Sequence, residues 1–202
     1  MNPSRTFRIF VSSTFSDLKA ERNALQERVF PRLREICESH NCRFQVVDLR
    51  WGISESAARD QQTMKICLAE ISRCQRITPR PNFIVLLGNR YGWRPLPDEI
   101  PADEYLCIYP HLTHEERKLA DTWYLRDDNA SPSVYTLAPR NENFEASECW
   151  APLETRLLQA LRSASIAAQL QGVANEKYLC SATEQEILEG ALRAEAAEEH
   201  VF

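Results

Sequence analysis

Glycine is scarce in this chain: five among 202 residues, at positions 52, 88, 92, 172 and 190. Neither GxGxxG nor GxxxxGK followed by Ser or Thr occurs, so Rossmann-type dinucleotide binding and P-loop ATP hydrolysis have no support within it. No CxxC pair is present, and the seven cysteines (37, 42, 67, 74, 107, 149 and 180) are odd in number and mostly in apolar surroundings. That argues against a disulfide framework and for reduced thiols acting as small hydrophobes. The four histidines (40, 111, 114 and 200) are scattered, so no zinc-ligand spacing can be assembled and no metal site is expected. No apolar run approaches the ~18 residues of a membrane span. The opening MNPSRTFRIF lacks the apolar segment of a signal peptide. A basic excess is missing too: Lys plus Arg is 24 against 29 Asp plus Glu, a net charge of −5. A nucleic-acid partner is therefore not expected, nor a membrane partner, and the expected location is cytoplasmic.

What is present is an ordinary globular composition, 44% apolar and 26% charged. A chain of this length buries roughly 70% of its unfolded surface and needs no metal or disulfide to hold a core. Residues 7–12 read as a first strand. Thr14 with Asp17 reads as the start of a helix carrying Leu18, Leu25, Val29, Leu33 and Ile36, with Arg22 on its polar face and a kink or restart at Pro31. Residues 43–49 make a second strand. A helix over 63–75 follows, with Met64, Cys67, Leu68, Ile71 and Cys74 on one face. Residues 83–87 form a continuous apolar third strand ending at Gly88. The order β-α-β-α-β predicts adjacent parallel strands with 7–12 in the middle.

Beyond Gly88 the pattern turns irregular. Thr113 to Glu116 is a capping box opening a helix to about Arg126, 127–132 is a loop, and 133–137 is a further strand. Residues 150–171 predict a long helix and 183–198 a last one, with His200 to Phe202 reading as the start of a strand and hence of a longer chain. The expected organisation is one α/β domain over 1–202, with a core of 5–88 and 181–202. Residues 89–180 form a helical insertion before the last helix.

Three segments carry chemistry. Val11 to Asp17 follows the first strand, where open α/β sheets bind ligands, and its Ser12, Ser13 and Thr14 hydroxyls suit an anion or a ribose; turn chemistry alone also explains them. Gly88 to Pro95 presents Arg90, Tyr91 and Trp93 at the same sheet end, suited either to stacking a base and pairing a phosphate or to packing. Ser181 to Leu192 contains Thr183 and Glu186, which are readable as a capping box. That box by itself explains both residues; the functional alternative makes Glu186 a catalytic carboxylate at the mouth of the sheet.

Three stretches together resemble an N-terminal domain of large NACHT/WD-repeat proteins of the telomerase-associated-protein and nephrocystin-like kind. They are Arg8-Ile-Phe-Val-Ser-Ser-Thr-Phe-Ser-Asp-Leu-Lys-Ala-Glu-Arg22, Val47-Asp-Leu-Arg-Trp-Gly-Ile53 and Asn82-Phe-Ile-Val-Leu-Leu-Gly-Asn-Arg-Tyr-Gly-Trp93. The resemblance implies a STAND ATPase whose NACHT and repeat regions lie C-terminal to residue 202. More distantly the chain is similar to the Toll/interleukin-1 receptor (TIR) fold. Phe10 to Ser13 then corresponds to its first strand, Val46 to Asp48 to its second, and Trp51 to Gln62 to its BB loop. This implies a three-layer, flavodoxin-like α/β fold with a central parallel sheet of about five strands. In TIR enzymes that cleave NAD the catalytic Glu opens a late helix, and Glu186 takes that position. Two departures stand out: Ala182 occupies the expected Trp position, and the stretch between Gly88 and that helix is long. Glu99, after Trp93, is a secondary candidate.

The resemblance implies two functions. One is a signalling module that self-associates through the TIR-like surface and recruits partners, with the mostly uncharged stretch Trp51 to Ala58 as a contact loop; Arg50 and Trp51 are also candidates for binding a ligand. The other is an NAD(P)-hydrolysing effector activated by clustering, with NAD+ as substrate and no cofactor required.

Overall fold

The computed structural model describes residues 5–14, 17–49, 61–78 and 80–202. The chain divides into two compact units. The first comprises the described residues up to 49, then 65–93 and 181–202; the second comprises 61–64 and 94–180.

The first unit is built on β1 (Thr6–Ser12), β2 (Arg43–Val47) and β3 (Phe83–Val85), all parallel, in the order β2-β1-β3. The predicted central position of 7–12 is therefore found, and Phe10 pairs with both Val47 and Phe83. Strand alternation sends residues to two faces. Ile9, Val11 and Phe44 pack with Phe30 on one side, while Phe10, Val47 and Phe83 pack with Cys67, Ile71, Cys74 and Ala191 on the other. Among the described residues the parallel sheet has three strands rather than about five. After β3 the chain leaves for the second unit, and on return it adds a single parallel bridge, Phe83 with Val201. There the N–H of Val85 donates to the carbonyl of Phe202 at 2.9 Å.

The first crossover begins later than expected. Thr14 and Asp17 do not cap it: α1 (Lys19–Ala24) opens after Leu18, which sits at φ 57° with no side-chain cap. A π-helical turn, Leu25–Val29, separates α1 from α2 (Phe30–Ser39), which restarts with Pro31 in its first turn. Pro31 has no N–H to continue the ladder, and the wider turn absorbs its ring. Asn41, at φ 55°, ends α2: its N–H bonds the Glu38 carbonyl and that of Cys42 bonds Cys37, the two bonds of a Schellman stop. The second crossover, α3 (Thr63–Ile77), buries the predicted positions Met64, Cys67, Ile71 and Cys74.

The second unit has its own core, centred on Ile100, Tyr105, Ile108, Trp123, Trp150, Leu157 and Leu161. It is not purely helical. Strands β4 (Glu99–Pro101), β5 (Tyr124–Asp127) and β6 (Val134–Leu137) form an antiparallel sheet in the order β4-β6-β5. Around it are α4 (Ala102–Ile108), α5 (His114–Trp123), α6 (Ser147–Ala167) and α7 (Val173–Leu179). The Thr113–Glu116 capping box opens α5 as read. The helix stops at Trp123, not near Arg126, because Tyr124 to Asp127 pair with Val134 to Leu137 across the 128–133 loop. Burial of the Tyr124 ring, with its hydroxyl donating to the Pro97 carbonyl at 2.8 Å, favours that strand over another helical turn.

The chain returns to the first unit through α8 (Ala182–Ile187), a π-helical turn at Leu188–Leu192 and the short α9 (Ala197–His200), not one continuous helix. Gly190 lies in the π-helical turn, where a Cβ would overlap the Phe83 ring.

Candidate functional site

The carboxyl ends of β1 and β2 and the start of α8 meet at a buried polar cluster. Ser12 ends β1, and its hydroxyl donates to Glu186 Oε2 at 2.5 Å. Cys67, on the inward face of α3, gives Glu186 a second side-chain hydrogen bond. Ser13 accepts from Arg22 Nε at 2.5 Å, and its carbonyl accepts from Arg22 Nη2 at 3.1 Å. The guanidinium of Arg22 then pairs with Asp48, just past β2. Arg22, Asp48 and Glu186 are thus three ionisable groups held out of water, at 2%, 3% and 7% exposure.

Among the described residues their charges do not cancel if all are ionised: one cation faces two carboxylates. Asp48 takes the direct ion pair, and Glu186 is left the less favourable environment. Burial pushes the Glu186 carboxyl above the usual carboxylate range; the Ser12 and Cys67 hydrogen bonds and the Arg22 charge oppose this, and Asp48 reinforces it. Burial beside Glu186 also drives the Cys67 thiol far up, so it is a packing and donor group, not a nucleophile.

Glu186 does not cap its own helix. The N-cap of α8 is Ser181, whose hydroxyl accepts from the Glu184 N–H at 3.2 Å. The predicted Thr183–Glu186 capping box is therefore displaced: Thr183 lies within the first turn, and the Glu186 carboxyl is directed to β1. Thr14 is buried, with no hydrogen-bond partner for its Oγ1 among the described residues. The turn after β3 joins the same end. The Arg90 N–H points to Asp17 Oδ2 at 3.4 Å, Tyr91 donates its hydroxyl to Glu184, and the Trp93 carbonyl accepts from the Ala182 N–H at 2.8 Å. Beside Asp48, an open groove is lined by Asn23, Gln26, Glu27 and Val46.

The structure so gathers Ser12, Ser13, Thr14 and Glu186 around one sheet end and fastens Tyr91 and Trp93 to the start of α8. Arg50 and Trp51 lie outside the described residues. Glu99 stands exposed in β4 of the second unit. Sequence reasoning left out Arg22, read as part of a solvated helix face, and the roles of Asp48 and Cys67. The available signal for Asp48 was a carboxylate among apolar residues at a strand end; a buried arginine leaves no mark in helical periodicity. Among the described residues no group of three or more His, Cys, Asp or Glu is placed to hold a metal ion. No helix among them is long and apolar enough to cross a membrane.

Parallel strands with helical crossovers and a polar cluster at their carboxyl ends make the first unit an α/β module, with that cluster at the topological switch. Residues 8–132 match the family described as Domain of unknown function (DUF4062), and the chain belongs to that family. It is similar to "NACHT and WD repeat domain-containing protein 2" of Homo sapiens, 32% identical over 90% of this chain and 12% of the relative. With "NACHT domain- and WD repeat-containing protein 1" of Mus musculus it shares 35% identity, over 81% of this chain and 10% of the relative. "Telomerase protein component 1" of Mus musculus is 35% identical over 55% of this chain and 4% of its own length. The chain thus spans about a tenth of the length of the NACHT and WD-repeat relatives. No solved structure matches it.

Proposed function

We propose that this chain is the N-terminal module of a NACHT-containing STAND ATPase and acts by clustering: an engine C-terminal to it gathers copies, and the gathered surface recruits partners. The observation that supports this reading most is similarity over 81% to 90% of the chain to proteins named for NACHT and WD-repeat domains. The sheet order β2-β1-β3, with Asp48 just past the second strand and Glu186 on a late helix, supports a TIR-like architecture. Exposed Leu87, Tyr91 and Trp93 beyond β3 supply apolar contact area at that sheet end. The test is sedimentation of the chain fused to a hexamer-forming tag. Association beyond the hexamer as concentration rises supports self-association; a sedimentation coefficient fixed at the tag's hexamer up to high concentration removes it.

A second reading is favoured by one observation: Glu186 faces β1 instead of capping α8. On this reading the clustered module hydrolyses NAD(P), and the Glu186 carboxylate stabilises the oxocarbenium-like ribose as nicotinamide leaves. Ser12 holds that carboxyl in place, and Arg22 and Asp48 hold the adjoining Ser13. NAD+ loss by the clustered chain, abolished by Glu186→Gln, is the expected result. Undiminished loss in that variant rejects the assignment. No loss in clustered wild type leaves the recruiting module alone.

A further inference from the structure

Two of the cysteines meet at one turn of the first unit. Cys37 lies in the last turn of α2, and Cys42 immediately precedes β2. Asn41, in the left-handed region at φ 55°, folds the chain back between them. The Cys37 carbonyl accepts from the His40 N–H at 3.0 Å and from the Cys42 N–H at 2.8 Å. In a Schellman stop the two residues joined by that longer-range bond bring their side chains together, a contact that apolar groups commonly fill. Here both side chains are thiols. The covalent path through the 2.8 Å bond caps their Cα separation at about 6.7 Å, within the ~4.4–6.8 Å that a disulfide spans.

Both cysteines are half-buried, and Cys37 packs against the face of the sheet that carries Ile9, Val11 and Phe44. The Cys42 thiol donates to the His40 carbonyl at 3.5 Å, a weak bond that costs little to give up. The Cys37 thiol is pushed up, by burial first and then by the charges of Cys42 and Glu38 beside it. The thiols therefore sense one another, and Cys42 is the better placed to react first.

We propose that Cys37 and Cys42 are a dithiol site that exchanges with low-molecular-weight disulfides and closes to an intramolecular disulfide, stapling the end of α2 to the start of β2. The Cys42 thiol loses its proton to water, and its thiolate attacks one sulfur of the external disulfide. That S–S bond breaks, and the first small thiolate leaves and takes up a proton. The Cys42 charge is then gone, so Cys37 ionises more readily. Its thiolate attacks the Cys42 sulfur and expels the second small thiol. Two protein thiols are oxidised, and one external disulfide is reduced to two thiols. The site is independent of Glu186 and of clustering.

The tryptic peptide 35–43 carries both cysteines and no other. The native chain is equilibrated with reduced and oxidised glutathione at a series of ratios, quenched with iodoacetamide and digested for mass spectrometry. Peptide 35–43 is expected to lose two hydrogen atoms and take no alkyl group, and dithiothreitol is expected to restore both alkylation sites. The equilibrium constant for closing is expected to be about tenfold or more greater in the native chain than in urea, because the folded stop holds the thiols together before they react. A peptide that carries glutathione on its sulfurs, or is alkylated on both at every ratio, overturns the site. So does an equal constant in native and unfolded chain, which means that the spacing closes as readily without the fold.

Discussion

Glu186 is buried, hydrogen-bonded by Ser12 and Cys67, and next to a carboxylate already paired with Arg22. Its pKa is raised in the folded state. The stability it contributes is therefore fully present below the unfolded-state pKa and is lost as pH rises through the higher folded value. Glu186→Gln keeps a neutral, isosteric group at every pH. The variant is expected to melt above wild type at pH 8, with the gap narrowing at pH 5; a gap that is constant between the two pH values contradicts the shift. Arg22 behaves oppositely. Arg22→Met removes the buried guanidinium that pairs with Asp48, and a loss of about 3–5 kcal/mol is expected from urea unfolding. A loss below about 1 kcal/mol would mean that water reaches Asp48 freely.

Within the elements, the two π-helical turns mark where local geometry yields to packing. At Leu188–Leu192 the turn brings Gly190 onto the Phe83 ring, which stacks on Phe10 at 5.8 Å between centroids. Gly190→Ala should improve helix propensity yet destabilise, by about 1–3 kcal/mol, because the methyl overpacks that aromatic pair. Chemical denaturation decides between the two signs. At the other end of this segment, Ser181→Ala removes the α8 cap and should cost about 1 kcal/mol. If Thr183→Ala costs more than Ser181→Ala through lost helix stability, the cap has been assigned to the wrong residue.

At the scale of the whole chain, each unit has its own core, one on a parallel sheet and one on an antiparallel sheet. Leu161 is fully buried in the second. Leu161→Ala should cost about 2–5 kcal/mol locally. In hydrogen exchange the loss of protection is expected in α6 and β6, with the amides of β1 retaining theirs. Uniform loss across both units would show that they unfold as one body.

The sequence by itself determined the elements whose patterns are local. Phe7 to Ser12, Arg43 to Val47 and Phe83 to Val85 are strand segments with helical crossovers between them, and right-handed crossovers in a flavodoxin-like arrangement place the first in the middle. The Thr113 capping box and the buried face of α3 were legible for the same reason: they repeat on a helical turn. Ser12 and Glu186 were legible as candidates because both fall at element ends. What only the tertiary structure decided depends on partners distant in the chain. Tyr124 to Asp127 is a strand because Val134 to Leu137 pairs with it, and Arg22 is interior because Ser13 and Asp48 receive it. Glu186 faces β1, with Ser181 as the cap, because the chain returns from residue 180 with α8 against the end of that strand. Hydrophobic periodicity records which residues leave water, but it holds no record of which distant polar group each one meets.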